Sequence, residues 1–502
     1  MYRIGFDNEK YLQEQTQCIL ERMAQNDGKL YLECGGKLMY DYHASRVLPG
    51  FDPNVKMRVF QSFRDKLDVI ICIYAGDIVH KKFRSDFGIT YDTDVFKMID
   101  DFAKAGIKAD KVLITRFKGE KAALDFKEHL EGRGIKVYVH EPTNGYPMDV
   151  DKIVSDEGYG ANAYIPTDKP IVLVTAPGPG SGKLATCLNQ MYHDYKQGRK
   201  SGYSKFETFP IWNLPIDHPV NIAYEAATAD IGDVNIVDYF YMQATGKMAV
   251  NYNRDLEAFP ILKSILEKIT GKSYNSPTDM GVNRDGFGII DDEAVRYAGQ
   301  QEIIRRYYRS ACERLQGKAT LETLRRTENI MQKAGLKPTD RPAVNVCQVE
   351  LDRSIAKGKG ADGITCAAAM ELKSGEFITA HNSLVLHASS ALVLNAVKSI
   401  AQIPKKIDLI PNMIIESVTS FKRDHLLSRG VSLNLEETLI CLAMSSSINP
   451  AAKVAIDSID QLRGCEVHLS HMPSDGDANG IRKLGLNATS EPIYPTSNLY
   501  NF

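Results

Sequence analysis

The chain has 502 residues, of which 43% are hydrophobic and 25% charged, as in a globular protein of more than one domain. The 61 Lys and Arg residues nearly balance the 63 Asp and Glu residues, and the net charge of -2 excludes a globally basic nucleic-acid-binding protein. No apolar run of about 18 residues occurs, so we predict no membrane span. The nine cysteines contain no C-x-x-C pair, which argues against a standard structural zinc site and favours the reducing cytoplasm.

The first part of the chain alternates short apolar runs with amphipathic helical patterns. Val69–Tyr74 is a continuous apolar run, as expected for a strand covered on both faces. Repeated alternation of this kind predicts an α/β fold with a mainly parallel, helix-covered sheet. The predicted strands are 29–33, 69–74, 111–115, 136–140 and 170–175, and the predicted helices are 94–105, 118–132 and one that begins at Lys183.

The pattern changes near residue 230 and again near residue 340, which predicts three parts. They are an α/β domain over 1–230, a helical middle segment over 231–340 and a C-terminal α/β domain over 341–502. The middle segment contains two long helical patterns, 291–316 and 320–334. Their apolar stripes favour a homo-oligomer, because such stripes need a partner.

Local signals in the last part predict a hairpin and a helix start. Lys373-Ser374-Gly375 separates strand-like runs over 364–371 and 376–380. Asn434, followed three positions later by Glu437, predicts a capping box at the start of a helix.

The strongest chemical signal is the segment TAPGPGSGK (175–183), which lies between a predicted strand and a predicted helix. Glycines allow successive backbone amides to face one point, and the helix start and a lysine add positive charge. The pattern predicts binding of a small anionic ligand, with a nucleotide such as ATP as the candidate cofactor. A tight structural turn is the alternative. The candidate ligand-binding residues are Gly178, Gly180, Ser181, Gly182 and Lys183.

This segment departs from the P-loop pattern G-x-x-x-x-G-K-[ST]. Pro177 occupies the first glycine position, and Leu184 replaces the residue whose hydroxyl would bind magnesium. Thr186 is two residues further on, a rotation of about 200° around a helix, and so cannot take that place. Anion binding is therefore better supported than magnesium-dependent hydrolysis of a nucleotide.

A second candidate site follows the first predicted strand, where α/β proteins commonly bind ligands. Lys37 and Arg46 could hold an anion, and Asp41 could orient His43 as a base. Lys37, Asp41 and His43 are accordingly candidate catalytic residues, with a solvated loop as the alternative. In a polar segment further along the chain, Asp279 and Asn283 are candidate substrate-binding residues, and the alternative is that this segment merely introduces the following helix.

A third candidate site lies near the C-terminus, where Glu466, His468 and Ser470 share one face of a predicted strand. His468 and His471 could act in acid–base chemistry. Together with Glu466 and Asp475 they could instead form a metal-assisted hydrolase site. An ordinary polar strand end is the alternative, because the spacing matches no specific zinc pattern.

Five long segments of the chain can be compared with a known family. They are LECGGKLMYDYHASRVLPGF (32–51), FETFPIWNLPIDHPVNIAYEAATADIGDVN (206–235), AVNYNRDLEAFPIL (249–262), SPTDMGVN (276–283) and LRGCEVHLSHMPSDG (462–476). Together these segments resemble the bacterial domain-of-unknown-function family 1846, and the match runs essentially end to end. The resemblance implies a multidomain, soluble bacterial protein, and some members of the family have been labelled ATP-dependent peptidases. It supplies no catalytic residues to transfer.

The C-terminal part is also similar in element order to the cytidine-deaminase-like fold. A hairpin is followed by His387-Ala388, which opens the apolar part of a helix, and then by a second helix. Ser389 stands where that fold has its catalytic Glu, and Asn449-Pro450 stands in place of the P-C-x-x-C zinc ligands. The similarity therefore implies an architecture and no zinc chemistry.

Three functional hypotheses remain open from the sequence. The first is an enzyme acting on a phosphorylated or nucleotide-like small molecule, and the second is the metal-assisted hydrolase. The third is a non-catalytic binding or assembly protein. No pattern of interleaved basic and aromatic residues supports nucleic-acid binding.

Overall fold

The computed structural model describes residues 3–26, 29–84, 87–361, 363–428 and 430–496. Two compact units are present. The first, which we call the N-terminal unit, consists of Ile4–Glu225 and Asp233–Arg296. The second, the C-terminal unit, consists of Tyr297–Phe502 with Met1–Arg3 and Ala226–Gly232.

The chain up to residue 315 contains thirteen helices and eleven strands among the described residues. The helices are α1 (Asn8–Gln25), α2 (Tyr42–Val47), α3 (Val55–Gln61), α4 (Ala75–Val79), α5 (Tyr91–Lys104), α6 (Lys121–Glu131), α7 (Val150–Ile153), α8 (Lys183–Lys196), α9 (Pro219–Ala227), α10 (Tyr239–Thr245), α11 (Asn253–Thr270), α12 (Pro277–Met280) and α13 (Asp292–Leu315). The strands are β1 (Leu30–Cys34), β2 (Leu67–Tyr74), β3 (Phe83–Arg84), β4 (Ile89–Thr90), β5 (Lys111–Thr115), β6 (Lys136–Val139), β7 (Ile171–Thr175), β8 (Gly202–Phe206), β9 (Asn235–Val237), β10 (Val250–Tyr252) and β11 (Gly281–Val282).

The N-terminal unit is built on a seven-stranded sheet in the order β11-β8-β1-β7-β2-β5-β6. Every neighbouring pair is parallel. Strands β1 and β7 are buried along their whole length, as expected for a sheet with helices on both faces. The predicted large parallel sheet is therefore confirmed.

One face of this sheet packs against α8. Cys187, Leu188 and Met191 of that helix join Val172 and Val174 of β7 in one buried apolar cluster. Helix α8 begins directly after Gly182, whose φ of 87° lies in the left-handed region. The short turn between β7 and α8 is thus held between the central strand of the sheet and the helix that covers it.

The predicted helical middle segment contains short strands as well as helices. Strands β9 and β10 form an antiparallel pair, and β11 joins the large sheet beside β8. Each of these strands has only two or three residues, too few to leave a periodic signal in the sequence.

The C-terminal unit has a separate mixed sheet. Its remaining helices are α14 (Leu321–Lys333), α15 (Pro342–Ala356), α16 (Ala388–Ile400), α17 (Asn412–Asp424), α18 (Leu435–Ser445), α19 (Pro450–Asp457) and α20 (Asp475–Leu484), and its strands are β12 (Ala367–Glu371), β13 (Phe377–His381), β14 (Glu466–Leu469) and β15 (Asn487–Ser490). The strand order is β13-β12-β14-β15. Strand β12 is antiparallel to both neighbours, and β14 is parallel to β15.

The predicted hairpin and capping box are both present in this unit. Strands β12 and β13 form the hairpin. The Asn434 side chain accepts a hydrogen bond from the Glu437 amide, and the Glu437 carboxylate accepts one from the Asn434 amide. This reciprocal pair fixes the start of α18.

Candidate functional site

The carboxyl ends of the parallel strands gather several of the predicted site residues. Because all seven strands run in the same direction, the loops that follow β1, β7 and β8 emerge at one edge of the sheet. Neighbouring strands lie about 4.8 Å apart, so these loops are side by side. The loop after β1 and the first residues of the glycine-rich loop line one pocket. The lining residues are Gly36–Tyr40, Arg84, Phe87, Asp94, Lys97, Met98, Asp101, Phe102 and Thr175–Pro177.

The carbonyls of the glycine-rich loop are turned into the protein. The Ser181 hydroxyl donates to Gly178 O over 2.9 Å, and the Thr115 hydroxyl donates to Ser181 O over 2.9 Å. The guanidinium of Arg116 donates to Gly180 O and lies on the Tyr74 ring. In a trans peptide, the amide that follows a carbonyl points the opposite way. The Ser181 and Gly182 amides are therefore directed away from Arg116 and Thr115.

The amides at the start of α8 lack acceptors. The Ser181 amide faces Gly178 O across the turn at Pro179-Gly180, whereas in the described ranges no residue accepts a hydrogen bond from the backbone amide of Gly182 or Lys183. The first amides of any helix have no partner within the helix itself, and they carry the positive end of its dipole. This edge of the loop can therefore accept an anion.

The ammonium of Lys183 adds a full positive charge over the central strands. Burial raises the pKa of the Cys34 thiol to about 11 and that of the Cys72 thiol to about 12, and the charge of Lys183 opposes the rise at both. Since Cys34 ends β1 and Cys72 lies in β2, Lys183 is near the carboxyl end of the intervening strand β7.

The two residues that could supply a magnesium-binding hydroxyl do not do so. Leu184 packs against the apolar cluster beneath α8. The Thr186 hydroxyl donates to Gly182 O over 2.9 Å and contacts the Cys72 sulfur at 3.4 Å. Thr186 thus faces the protein interior, as the helical rotation predicts.

Asp41, in the loop after β1, makes two contacts besides its predicted pairing with His43. It is the N-cap of α2 and accepts a hydrogen bond from the Ala44 amide over 3.0 Å. Its other carboxylate oxygen lies 2.6 Å from the Lys56 ammonium. The His43 ring packs edge-on against the Phe209 ring, with the ring centroids 5.0 Å apart.

Lys56 also fixes the position of Lys37. The Lys56 ammonium donates to Lys37 O over 3.1 Å. This bond holds the backbone of the loop, and Lys37 itself lines the pocket described above. Arg46 lies in α2, partly exposed.

Asp279 and Asn283 lie at opposite ends of β11. Asp279 belongs to α12, which precedes the strand, so it is at the amino edge of the sheet. Asn283 follows the strand at the carboxyl edge, where its amide donates to Pro210 O over 2.9 Å. The structure therefore does not bring these two candidates together.

A charged cluster at the end of β8 was not predicted from the sequence. The Lys205 ammonium lies 2.6 Å from Glu207 and 2.6 Å from Asp255. The Tyr252 hydroxyl donates to Glu207 over 3.1 Å. Burial raises the pKa of Glu207 to about 7 against the opposing charge of Lys205. Glu207 can therefore exchange a proton near neutral pH.

The predicted C-terminal candidates belong to a separate network in the C-terminal unit. His468 is buried between Thr489 and Glu491, at 2.8 Å and 3.3 Å. Burial lowers the pKa of His468 and of His471. The His471 ring contacts the Ser470 hydroxyl at 2.9 Å.

Glu466 is held by two guanidinium groups and is not open to a metal ion. Arg341 and Arg305 approach its carboxylate at 2.6 Å and 3.0 Å. Asp475 is exposed at the start of α20. Within the described part of the chain, no three His, Cys, Asp or Glu side chains are grouped to hold a metal ion.

Among the helices that the structure describes, none combines the length and the hydropathy that a membrane span requires.

Comparisons with known proteins identify the family. The profile described as domain of unknown function DUF1846, N-terminal, matches residues 4–335, and its C-terminal counterpart matches residues 339–500. A UPF0371 protein of Clostridium tetani is 52% identical over 500 residues, and the alignment covers 99% of both chains. A UPF0371 protein of Fusobacterium nucleatum is 52% identical over 503 residues, again with 99% of both chains covered. The predicted resemblance is confirmed, and the chain belongs to the DUF1846 family.

Proposed function

We propose that the chain is an enzyme that binds a phosphorylated or nucleotide-like small molecule at the glycine-rich loop between β7 and α8. The observation that supports this most strongly is the orientation of the loop: the carbonyls of Gly180 and Ser181 accept bonds from Arg116 and Thr115, while the amides of Gly182 and Lys183 lack acceptors in the described chain. Backbone amides at a helix start, together with a lysine, form a common phosphate site.

Neighbouring side chains supply the means for proton transfer. Lys37 lines the adjacent pocket, and Glu207 directly follows β8, the strand on the other side of β1. His43 lies on α2, directly after the loop that contains Lys37. Groups that exchange protons beside an anion site favour an enzyme over a protein that only binds its ligand.

The arrangement favours anion binding that does not depend on magnesium. Leu184 has no hydroxyl, and the Thr186 hydroxyl is bonded to Gly182 O. We therefore expect inorganic phosphate and ATP to bind equally well with and without magnesium.

Calorimetric titration with inorganic phosphate and with ATP tests this proposal. We expect Lys183→Ala to weaken binding of both at least tenfold, because the variant removes the charge next to the amides. Lys196→Ala is the matched control, since Lys196 ends the same helix and pairs with Asp156 instead. Unchanged affinity in Lys183→Ala would remove the loop from the function.

The C-terminal unit supports a second, architectural proposal. We propose that its elements follow the deaminase-like order without zinc chemistry. His387, the N-cap of α16, lies 2.7 Å from Asp477 in the first turn of α20. The Ser389 hydroxyl also donates to Asp477, over 2.6 Å. Asn449 instead caps α19 and donates to Asp408 O, so Asn449-Pro450 has a structural role there.

Three broader predictions also belong to this proposal. We propose that the chain forms a homo-oligomer in the bacterial cytoplasm and that domain boundaries fall near residues 230 and 340. Light scattering coupled to size exclusion measures the mass of the assembly, and limited proteolysis locates the boundaries. A monomeric mass would contradict the predicted homo-oligomer. Cleavage only at sites away from residues 230 and 340 would contradict the predicted boundaries.

A further inference from the structure

An apolar stripe runs along the exposed face of α18 in the C-terminal unit. Ile440, Met444 and Ile448 follow one another at intervals of four residues and are 62%, 58% and 64% exposed. Residues at this spacing lie on one face of a helix. The helical path continues past the end of α18, because the Ile448 and Asn449 amides both donate to Ser445 O, over 3.1 Å and 2.8 Å. The three side chains therefore form one continuous stripe, which we call the α18 stripe.

The opposite face of α18 is already part of the core of its unit. Thr438, Cys441, Leu442 and Ser445 are buried, and the first two turns of the helix are fixed by the capping box at Asn434. Cys441 and Leu442 belong to the large apolar cluster of the C-terminal unit. The helix therefore cannot turn the stripe inward without exposing that core, and the stripe remains as apolar surface in contact with water.

The segment that carries the stripe also lacks charge. From Thr438 to Ala452 the sequence contains no Asp, Glu, Lys or Arg, whereas fifteen residues of an average chain would contain about four. The positions between the stripe residues on the same face are Ala443 and Ser447, which are exposed as well. Depletion of charged residues and the presence of methionine are typical of the centre of a protein–protein interface.

The exposed area is of the size that a dimer needs. The stripe with its two small neighbours exposes on the order of 400 Å², so that two copies of this face would bury about 800 Å². Helices α17 and α19 pack beside α18, and their exposed side chains Phe421 and Val454 would extend the contact at its rim. The total then approaches the roughly 1,200 Å² at which specific interfaces begin.

We propose that the α18 stripe is the contact surface of a two-fold homodimer, in which α18 packs antiparallel against α18 of a second copy. The stripe is symmetric about Met444, with one isoleucine four residues before it and another four residues after it. In a two-fold contact the same surface meets itself. Met444 then faces Met444 of the partner subunit, and Ile440 faces Ile448 of the partner subunit. This inference rests on the homo-oligomer proposed above and gives it a location.

A second copy fits the stripe better than a lipid surface does. Helices that lie on membranes carry Lys and Arg beside their apolar face, where these residues attract anionic lipids. The stripe is preceded by Glu436 and Glu437, and the next basic residue after it is Lys453. Lys422 of the neighbouring helix α17 pairs with Glu437 over 2.8 Å. A symmetric contact, in contrast, needs no basic flank and brings no like charges together along this segment.

Light scattering over a series of protein concentrations tests the proposal. We expect the wild-type chain to reach twice its mass of 55.9 kDa at about 50 μM. Met444→Glu and Met444→Lys each place two like charges at the two-fold axis, so each variant should weaken the association at least a hundredfold and keep the mass of one chain. An equimolar mixture of the two variants should restore the dimer, because opposite charges then meet. This recovery would also show that both variants fold.

Val349→Glu is the matched control. Val349 is 67% exposed on α15 of the same unit and lies outside the stripe, so this variant should dimerise as the wild-type chain does. A mixture of the two Met444 variants that stays monomeric would overturn the two-fold contact. A monomeric wild-type chain would also overturn it, and sedimentation of that monomer with phosphatidylcholine vesicles would assign the stripe to lipid instead.

The outcomes separate this surface from the other proposals. A dimer that persists in both Met444 variants would reject the α18 stripe but leave the homo-oligomer intact, whereas a monomeric wild-type chain would reject both. The phosphate site is tested by calorimetry on the wild-type chain and not by its mass. Met444 lies in the C-terminal unit and the glycine-rich loop in the N-terminal unit, so Met444→Glu should keep the phosphate affinity of the wild-type chain.

Discussion

Replacing Lys56 with methionine removes the ammonium from a fully buried ion pair that fixes the loop after β1. The side chains of Lys56 and Asp41 are only 2% and 7% exposed and lie 2.6 Å apart. At this separation the attraction is about 6 kcal/mol for an effective dielectric constant of about 20, and the cost of desolvating both charges offsets much of it. Removal of one partner leaves the other charge buried, and we expect Lys56→Met to lower the free energy of unfolding by about 3–5 kcal/mol.

Asp41→Asn supplies the other half of a double-mutant cycle. Asparagine preserves the cap of α2 but removes the negative charge that faces the Lys56 ammonium. We therefore expect Asp41→Asn to lower the free energy of unfolding by a similar amount. In the double variant neither charge of the pair remains. Its loss of unfolding free energy should therefore be smaller, by about 2 kcal/mol or more, than the sum of the losses in the two single variants. Urea unfolding followed by Trp212 fluorescence measures each value for the N-terminal unit. Strict additivity of the two losses would refute the inferred pairing.

The pH dependence of the same pair follows from the lowered pKa of Asp41. Burial acts to raise this pKa, but the Lys56 charge and the hydrogen bonds outweigh it and hold the pKa at about 2. A carboxyl with a lowered pKa stabilises the folded state above its unfolded value, and this contribution is lost as the pH falls through the folded value. The wild-type chain should therefore keep this contribution in full above pH of about 4 and lose it towards pH of about 2, and this loss should be absent from Lys56→Met, in which the lowering of the Asp41 pKa by Lys56 is gone.

Three further predictions concern Glu207, Gly182 and Arg341. Burial raises the pKa of Glu207 to about 7, so the folded state loses stability as the pH rises from about 4.5 to about 7. Glu207→Gln should flatten this part of the plot of unfolding free energy against pH. An unchanged slope would contradict the raised pKa of Glu207. Gly182→Ala should weaken phosphate binding at least tenfold and cost about 1–2 kcal/mol of stability, because φ is 87° and a Cβ would lie 3.0 Å from Thr115. Gly198→Ala is the control, because it imposes a similar backbone strain at φ 72° and its added Cβ would meet no other atom. Calorimetry should find the phosphate affinity of this variant unchanged. Arg341→Met should destabilise the C-terminal unit by about 3–5 kcal/mol, because Glu466 loses the guanidinium that lies 2.6 Å from its carboxylate. Circular dichroism should detect this lower stability, while Trp212 fluorescence follows the unfolding of the N-terminal unit.

The sequence identified the parts of the fold that depend on local patterns. Strands β2, β5 and β7 are continuous apolar runs, and their register in the sheet buries them on both faces. The start of α8 at Lys183 and the N-cap of α18 at Asn434 were also predictable, because a glycine before a helix and a capping box are signals within a few residues.

Strand β8 could not be recognised in the same way. It reads GYSKF, with a serine and a lysine in positions that are buried or half-buried in the structure. Lys205 is stable there because Asp255, fifty residues further along the chain, binds its ammonium. Since β8 was missed, the Glu207 cluster at its carboxyl end was missed as well.

The candidate sites were predicted from neighbours in the sequence, whereas some of their contacts come from distant segments. The short spacing of Asp41 and His43 suggested a pair, and the structure adds contacts of Asp41 with the Ala44 amide and with Lys56. Glu466 suggested a metal ligand, but Arg341 from a distant segment binds its carboxylate. In both cases a cation outside the motif determines what the carboxylate does.

Amide NMR during titration with inorganic phosphate tests the central claim most directly. If the loop binds phosphate, the backbone resonances of Ser181, Gly182 and Lys183 should shift saturably, and the shifts should disappear in Lys183→Ala. Shifts scattered over exposed lysines, or no shift at these three amides at saturating phosphate, would contradict the account.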